Sequence, residues 1–136
     1  MFCFQCQEAA KNIGCTVRGV CGKQPETADL QDLLMYQLKG IAALAELQQE
    51  KNDRQLGRFF SKALFATITN VNFVDERFLS LIEEAEGYRK KLTEELNLSA
   101  GDFQKLPENC RWKPEGRAQI EEKAASVGVL SEENED

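Results

Sequence analysis

From residue 27 onward apolar positions recur every three or four residues; before it they do not. Leu30, Leu33, Leu34, Leu38, Ile41, Ala42 and Ala45 fall on one stripe of a 3.6-residue period, which predicts a helix over 27–50. Thr27 suits its N-cap, and Asp29 and Asp32 lie early, where the helix dipole favours acids. Gly40 costs about 1 kcal/mol relative to alanine inside a helix, so its presence there points to a close helix crossing. Asn52-Asp53 is a break followed by a cap. A second helix is predicted over 53–70, with Leu56, Phe59, Phe60, Ala63, Leu64 and Ile68 on one side and Asn70-Val71-Asn72 interrupting it. A third is predicted over 75–97, its stripe being Phe78, Leu81, Ile82, Ala85, Tyr88, Leu92 and Leu96, with Asp75 and Glu76 in the first turn. Three amphipathic helices joined by short links favour an antiparallel up-down-up bundle.

The remainder is less regular. Residues 98–113, with Gly101, Pro107 and Trp112, carry no helical stripe. Lys113-Pro114-Glu115 has the form of a helix start, and Ala118, Ile120, Ala124 and Val127 predict a short fourth helix over 114–127 that Gly128 stops. The acidic run 131–136 resembles a cap and first turn with no helix behind it, so a cut from something longer is expected. No alternating pattern of strand length appears, and the expected fold class is all-α. The expected organisation is a first region over 1–26, a helical bundle over 27–130 and a truncated acidic end over 131–136.

The first region carries the chemistry. Cys3, Cys6, Cys15 and Cys21 are four of the five cysteines, spaced C-x2-C-x8-C-x5-C, in a chain of 136 residues without histidine. Gly14, Gly19 and Gly22 punctuate this stretch and Gln24-Pro25 closes it, as in loops that aim several ligands at one point. The lack of histidine excludes Ser-His-Asp and Cys-His catalysis, mixed Cys/His zinc sites and Rieske centres. A net charge of −6 argues against nucleic acid as a partner. No apolar run approaches the ~18 residues of a membrane span, and MFCFQCQEAAK is not a secretory signal, so the expected address is cytoplasmic. There, clustered cysteines mean metal or redox chemistry more often than structural disulfides.

Three readings of the quartet stand open on spacing alone. A 4Fe–4S cluster takes four thiolates, and the five residues between Cys15 and Cys21 suit a large cluster. A structural four-cysteine zinc site, in an interaction module with no redox role, usually has two C-x2-4-C knuckles, of which only the first is present. Disulfides or free thiols are the third. Local charge agrees with a cluster: Glu8 is the sole acid within 1–24, against Lys11, Arg18 and Lys23. Phe2, Phe4, Ile13, Val17 and Val20 are candidates to shield it from water. Cys110 stands apart and is kept out of the ligand set as a small buried hydrophobe.

The segments MFCFQCQEAAKNIGCTVRGVCGK, LQDLL and LFATITNVNFVDERF closely resemble the N-terminus of hybrid cluster proteins, also called prismane proteins or hydroxylamine reductases. The resemblance extends over essentially the whole chain and is densest over 1–41 and 63–78. It implies a 4Fe–4S cubane on Cys3, Cys6, Cys15 and Cys21, a cofactor that aerobic preparation can strip. It implies that the whole enzyme reduces hydroxylamine to ammonia, or nitric oxide, with electrons from a redox partner. The family's catalytic Fe–S–O hybrid cluster takes histidine, glutamates and further cysteines from downstream domains. That ligand set is not in this sequence, so no catalytic residue is assigned. The chain is then expected to be the electron-relay part of the first helical domain, inactive alone, with the remainder of the parent chain as partner. A truncated domain is further expected to self-associate through its exposed face, with the fourth helix or the cysteine-rich loop at the contact.

Overall fold

The structure is a computed structural model and describes residues 1–48, 53–69 and 74–131. Six α-helices follow one another: α1 Pro25–Leu47, α2 Arg54–Ile68, α3 Asp75–Leu96, α4 Ala100–Lys105, α5 Glu108–Arg111 and α6 Arg117–Ala124. Short 3-10 turns lie at Ala10–Asn12 and Val129–Ser131. Among the described residues there is no strand, and the fold is all-α. No described helix is long and apolar enough to cross a membrane.

Helix α1 is the hub, packing on α3 most extensively and also on α2, α5 and α6. Burial on several sides explains why Leu30, Leu33, Leu34, Leu38, Ile41 and Leu44 are all excluded from solvent. Its start corrects the expectation. Pro25 does not close the loop; it opens the helix, where its fixed φ fits and its missing N–H costs nothing. Thr27 is therefore not the N-cap. It is buried in the first turn and its Oγ1 donates to Asp75 Oδ1 at 2.6 Å.

The order of contacts gives the helix directions. The start, middle and end of α1 meet the start, middle and end of α3, through Thr27–Asp75, Gln37 to the Ile82 carbonyl at 3.4 Å, and Gln48–Glu95 at 2.8 Å. These two helices run parallel. Helix α2 runs against α3: Asp53 meets Lys91 at 2.9 Å, Phe59 stacks on Tyr88 at 4.8 Å, and Lys62 meets Glu84 at 2.6 Å. The arrangement is the expected up-down-up.

Asp53 caps α2 as expected, its Oδ1 accepting from the amides of Gln55 and Leu56. Asn52 and the interruption at 70–72 lie outside the described residues, as do 49–50 at the predicted end of the first helix. The inward face of α2 differs from the expected stripe. Phe59, Ala63, Ala66 and Thr67 are buried, at the i, i+4, i+7, i+8 spacing, whereas Leu64 and Ile68 are exposed with Phe65. Two adjacent rows on this helix are apolar, and only one can face α1 and α3.

Helix α3 matches its stripe and ends at Leu96, where Asn97 takes a left-handed φ of 46°. The stretch read as irregular holds α4 and α5, each too short to display a period. Their caps are local: Ser99 Oγ accepts from the Asp102 amide, and Pro107 precedes α5. The fourth predicted helix is shorter than 114–127. Gly116 adopts φ of +106°, incompatible with a continuous helix, so α6 begins at Arg117, and it ends before Gly128 is reached.

Gly40 is the predicted close crossing. A Cβ there would overlap the Asn109 carbonyl of α5. Its own carbonyl lies 3.5 Å from the Sγ of Cys110, which is fully buried. Burial pushes the Cys110 thiol up, in keeping with an inert packing residue.

Candidate metal centre

The loop over 1–24 is folded by its own backbone. Cys3 and Cys15 exchange both amide hydrogen bonds, at 3.0 and 2.8 Å, as an isolated antiparallel bridge. Between them the chain reverses through the turn at Ala10–Asn12, with Lys11 and Asn12 at positive φ. A second reversal follows: the Gly22 amide donates to the Gly19 carbonyl, and the Gly19 amide to that of Lys23, both at 2.8 Å. Gly19 packs so closely that a Cβ would stand 3.1 Å from Cys21 Sγ. Sequence-distant thiols are thus carried on two back-to-back turns.

The four predicted ligands differ in setting. Cys15 is buried at 5 % exposure, Cys3 is half-buried, and Cys6 and Cys21 are exposed. All are free thiols. The bridge joins the backbones of Cys3 and Cys15, but among the described residues no three cysteine or acidic side chains converge on one point.

The donor set nevertheless fits a soft metal centre in kind. Thiolate is the ligating form, and donors aimed at sulfur favour it. The Ala10 amide donates to Cys15 Sγ at 3.5 Å. This bond, then one from the Val20 amide, holds the Cys15 thiol below its usual range against the opposing effect of burial, and Lys23 adds to the lowering. Lys23 Nζ itself lies 3.6 Å from Cys3 Sγ. Hydrogen bonds to the sulfurs are among the means by which proteins tune iron–sulfur centres.

The candidate shielding residues Phe4, Ile13, Val17 and Val20 stand exposed, Val17 at 80 %. A two-turn loop of this size has no second layer beneath which they could tuck. Only Phe2, with its ring 5.7 Å from that of Phe4, is partly covered. Beside Cys3 lies a cleft of about 230 Å³ bordered by Phe2, Phe4, Gln31, Asp32 and Met35. Desolvation, reinforced by the nearby Asp29 carboxylate, raises the Asp32 carboxyl to about 6.

Two residues of the site escaped the sequence reading, Gln5 and Gln31. Gln31 is buried on α1 and accepts from Lys23 Nζ at 2.6 Å; Gln5 accepts at 2.9 Å. A signal for Gln31 existed. It stands three and seven residues before Leu34 and Leu38, a polar side chain on the apolar stripe.

Comparison with known proteins places these features in context. The family model described as Prismane/CO dehydrogenase family matches residues 1–136. The hydroxylamine reductase of Nitratidesulfovibrio vulgaris is 49 % identical over 144 residues, and that of Halothermothrix orenii 47 % over 150. That of Thermoanaerobacter pseudethanolicus is 46 % identical over 138. Each alignment takes in all of this chain, which spans about a quarter of the relative's length, 26 %, 26 % and 25 % in turn.

Proposed function

Because this chain belongs to the Prismane/CO dehydrogenase family, we propose that Cys3, Cys6, Cys15 and Cys21 hold an iron–sulfur centre of the 4Fe–4S kind. The observation that carries this reading is the pairing of Cys3 with Cys15 through two backbone hydrogen bonds, with N–H donors set on both sulfurs. Such a centre accepts and releases one electron at a time. The residues of the loop have the complementary tasks. The two turns carry the thiols, the Ala10 and Val20 amides favour thiolate at Cys15, and Lys23 offsets negative charge at Cys3.

The centre serves a larger oxidoreductase of the hydroxylamine reductase type. That reaction consumes two electrons and two protons per hydroxylamine and yields ammonia and water. The chain spans about a quarter of its relatives, and without histidine it lacks an imidazole for proton transfer. Reduction therefore takes place on residues outside these 136, with the relay fed by a redox donor protein in the cytoplasm. Nitric oxide is the alternative substrate. The exposed Ile13, Val17 and Val20 suit burial by the rest of the parent enzyme. Made alone, the 136 residues are expected to self-associate through this face, visible as concentration-dependent sedimentation.

Anaerobic purification followed by iron and sulfide counts, and by EPR after reduction, tests the reading. About four irons and four sulfides per chain with a reducible signal support it. A colourless chain holding one zinc overturns it in favour of a structural zinc module. The isolated chain should show no hydroxylamine turnover above a free-cluster control.

A further inference from the structure

Lys23 is 3 % exposed, a burial that lysine rarely accepts without compensation. It emerges from the second turn of the cysteine loop, two residues after Cys21, and its ammonium runs back toward the first. There it meets Gln31 Oε1 at 2.6 Å, Gln5 Oε1 at 2.9 Å and Cys3 Sγ at 3.6 Å. Two of these acceptors are neutral amides. The sulfur is the one that can carry a negative charge, and a buried cation gains most from such a partner. The amides come from opposite sides, Gln5 from the loop and Gln31 from the rigid hub helix α1, so the ammonium is held rather than left to wander on its four-carbon stem. Its field also reaches the Asp32 carboxyl on α1. Lys11 and Arg18, the other basic side chains of the loop, are exposed and screened by water, and the N-terminal ammonium is turned to Asp29 at 3.4 Å.

We propose that Lys23 is a positioning cation that, clamped by Gln5 and Gln31 against Cys3, sets the electron affinity of the centre the four thiols hold. The proposal rests on the metal-centre reading above and deepens it. A fixed positive charge at a ligand sulfur stabilises the reduced, more negative state, so its loss makes reduction harder. A residue that merely packed the loop would affect assembly and stability but would leave the potential of an assembled centre in place.

The test is an anaerobic redox titration of the full chain, followed optically and by EPR, for wild type, Lys23→Met, Lys23→Arg and Arg18→Met. Helical circular dichroism verifies folding. Lys23→Met should lower the reduction equilibrium constant at least tenfold, which is 59 mV for a one-electron couple. Lys23→Arg and Arg18→Met should stay within threefold of wild type. The proposal is overturned if Lys23→Met also stays within threefold, or if either of the other two variants shifts as far as it does. If Lys23→Met assembles no centre, a Lys23→Arg centre at the wild-type potential supports the proposal, and failure of both to assemble overturns it by making Lys23 a packing residue. A wild-type chain with no reducible centre overturns the metal-centre reading itself, and is distinguished from the other failures by needing no variant.

Discussion

In the helical body Phe78, Leu33, Leu34, Leu44 and Ile82 have no measurable exposure, whereas in residues 1–24 Phe4, Ile13, Val17 and Val20 stand largely in solvent. The body is ordered by apolar burial around α1. The loop has almost none, and rests on the Cys3–Cys15 bridge, two turns and the Lys23 clamp. The difference teaches where a ligand can matter: a group gripping the thiols would supply order to the loop that burial does not, while the body has no need of one.

The comparison can be broken most forcefully from the body's side. Phe78→Ala should cost about 4 kcal/mol, the toll of a large cavity beside α1, read from urea unfolding followed by circular dichroism. A loss under about 1 kcal/mol would mean that the core is not where stability lies. Gly40→Ala should cost about 2 kcal/mol although alanine is the better helix former, because its methyl group displaces the Asn109 carbonyl and pushes α5 off α1. A neutral or stabilised variant would contradict that crossing.

Asp32 sharpens the boundary between the regions. Its carboxyl is raised from 3.8 to about 6, so the folded state binds more protons than the unfolded one between those values. Stability therefore falls as pH rises through that window, and the penalty is complete above it. Asp32→Asn should stabilise by about 1 kcal/mol at pH 7, after allowance for solvent screening, and by nothing below pH 3.8. Equal gains at both pH values would remove desolvation as the cause. Smallest is the loop's own contribution. Val17→Ser should change unfolding free energy by less than about 0.5 kcal/mol. Removing metal with a chelator should leave the helical signal of the body intact while amide exchange over 3–24 speeds up. Collapse of the helical signal on chelation would erase the distinction between loop and body.

What was legible in the sequence follows the same division. The 3.6-residue stripes located α1, α2 and α3 because burial writes a period into a long helix. They misjudged the start of α1, where Thr27 and Pro25 are both good helix-start residues and the proline's ring geometry prevails. They also could not choose between two adjacent apolar rows of α2, which tertiary packing alone decides. Helices of four and six residues carry no measurable period, so α4 and α5 passed unnoticed. For the loop, cysteine spacing pointed to a soft-metal chemistry and said nothing of its surroundings. The Lys23–Gln31 contact joins a turn to a helix eight residues on, and no local pattern encodes it.

The parallel course of α1 and α3 has a kinetic consequence. Thr27 and Asp75 are 48 positions apart, so uniting these helices closes a long stretch of chain, whereas α2 and α3 are sequence neighbours that meet as a hairpin. Closure entropy favours the nearer pair first. We predict that the α2–α3 hairpin forms early, α1 docks upon it next, and the turns bearing Cys3 to Cys21 settle only once Gln31 is in place to receive Lys23. Pulse-labelled hydrogen exchange would see amide protection arrive in that order, and early protection at Cys3 and Cys15 would refute it.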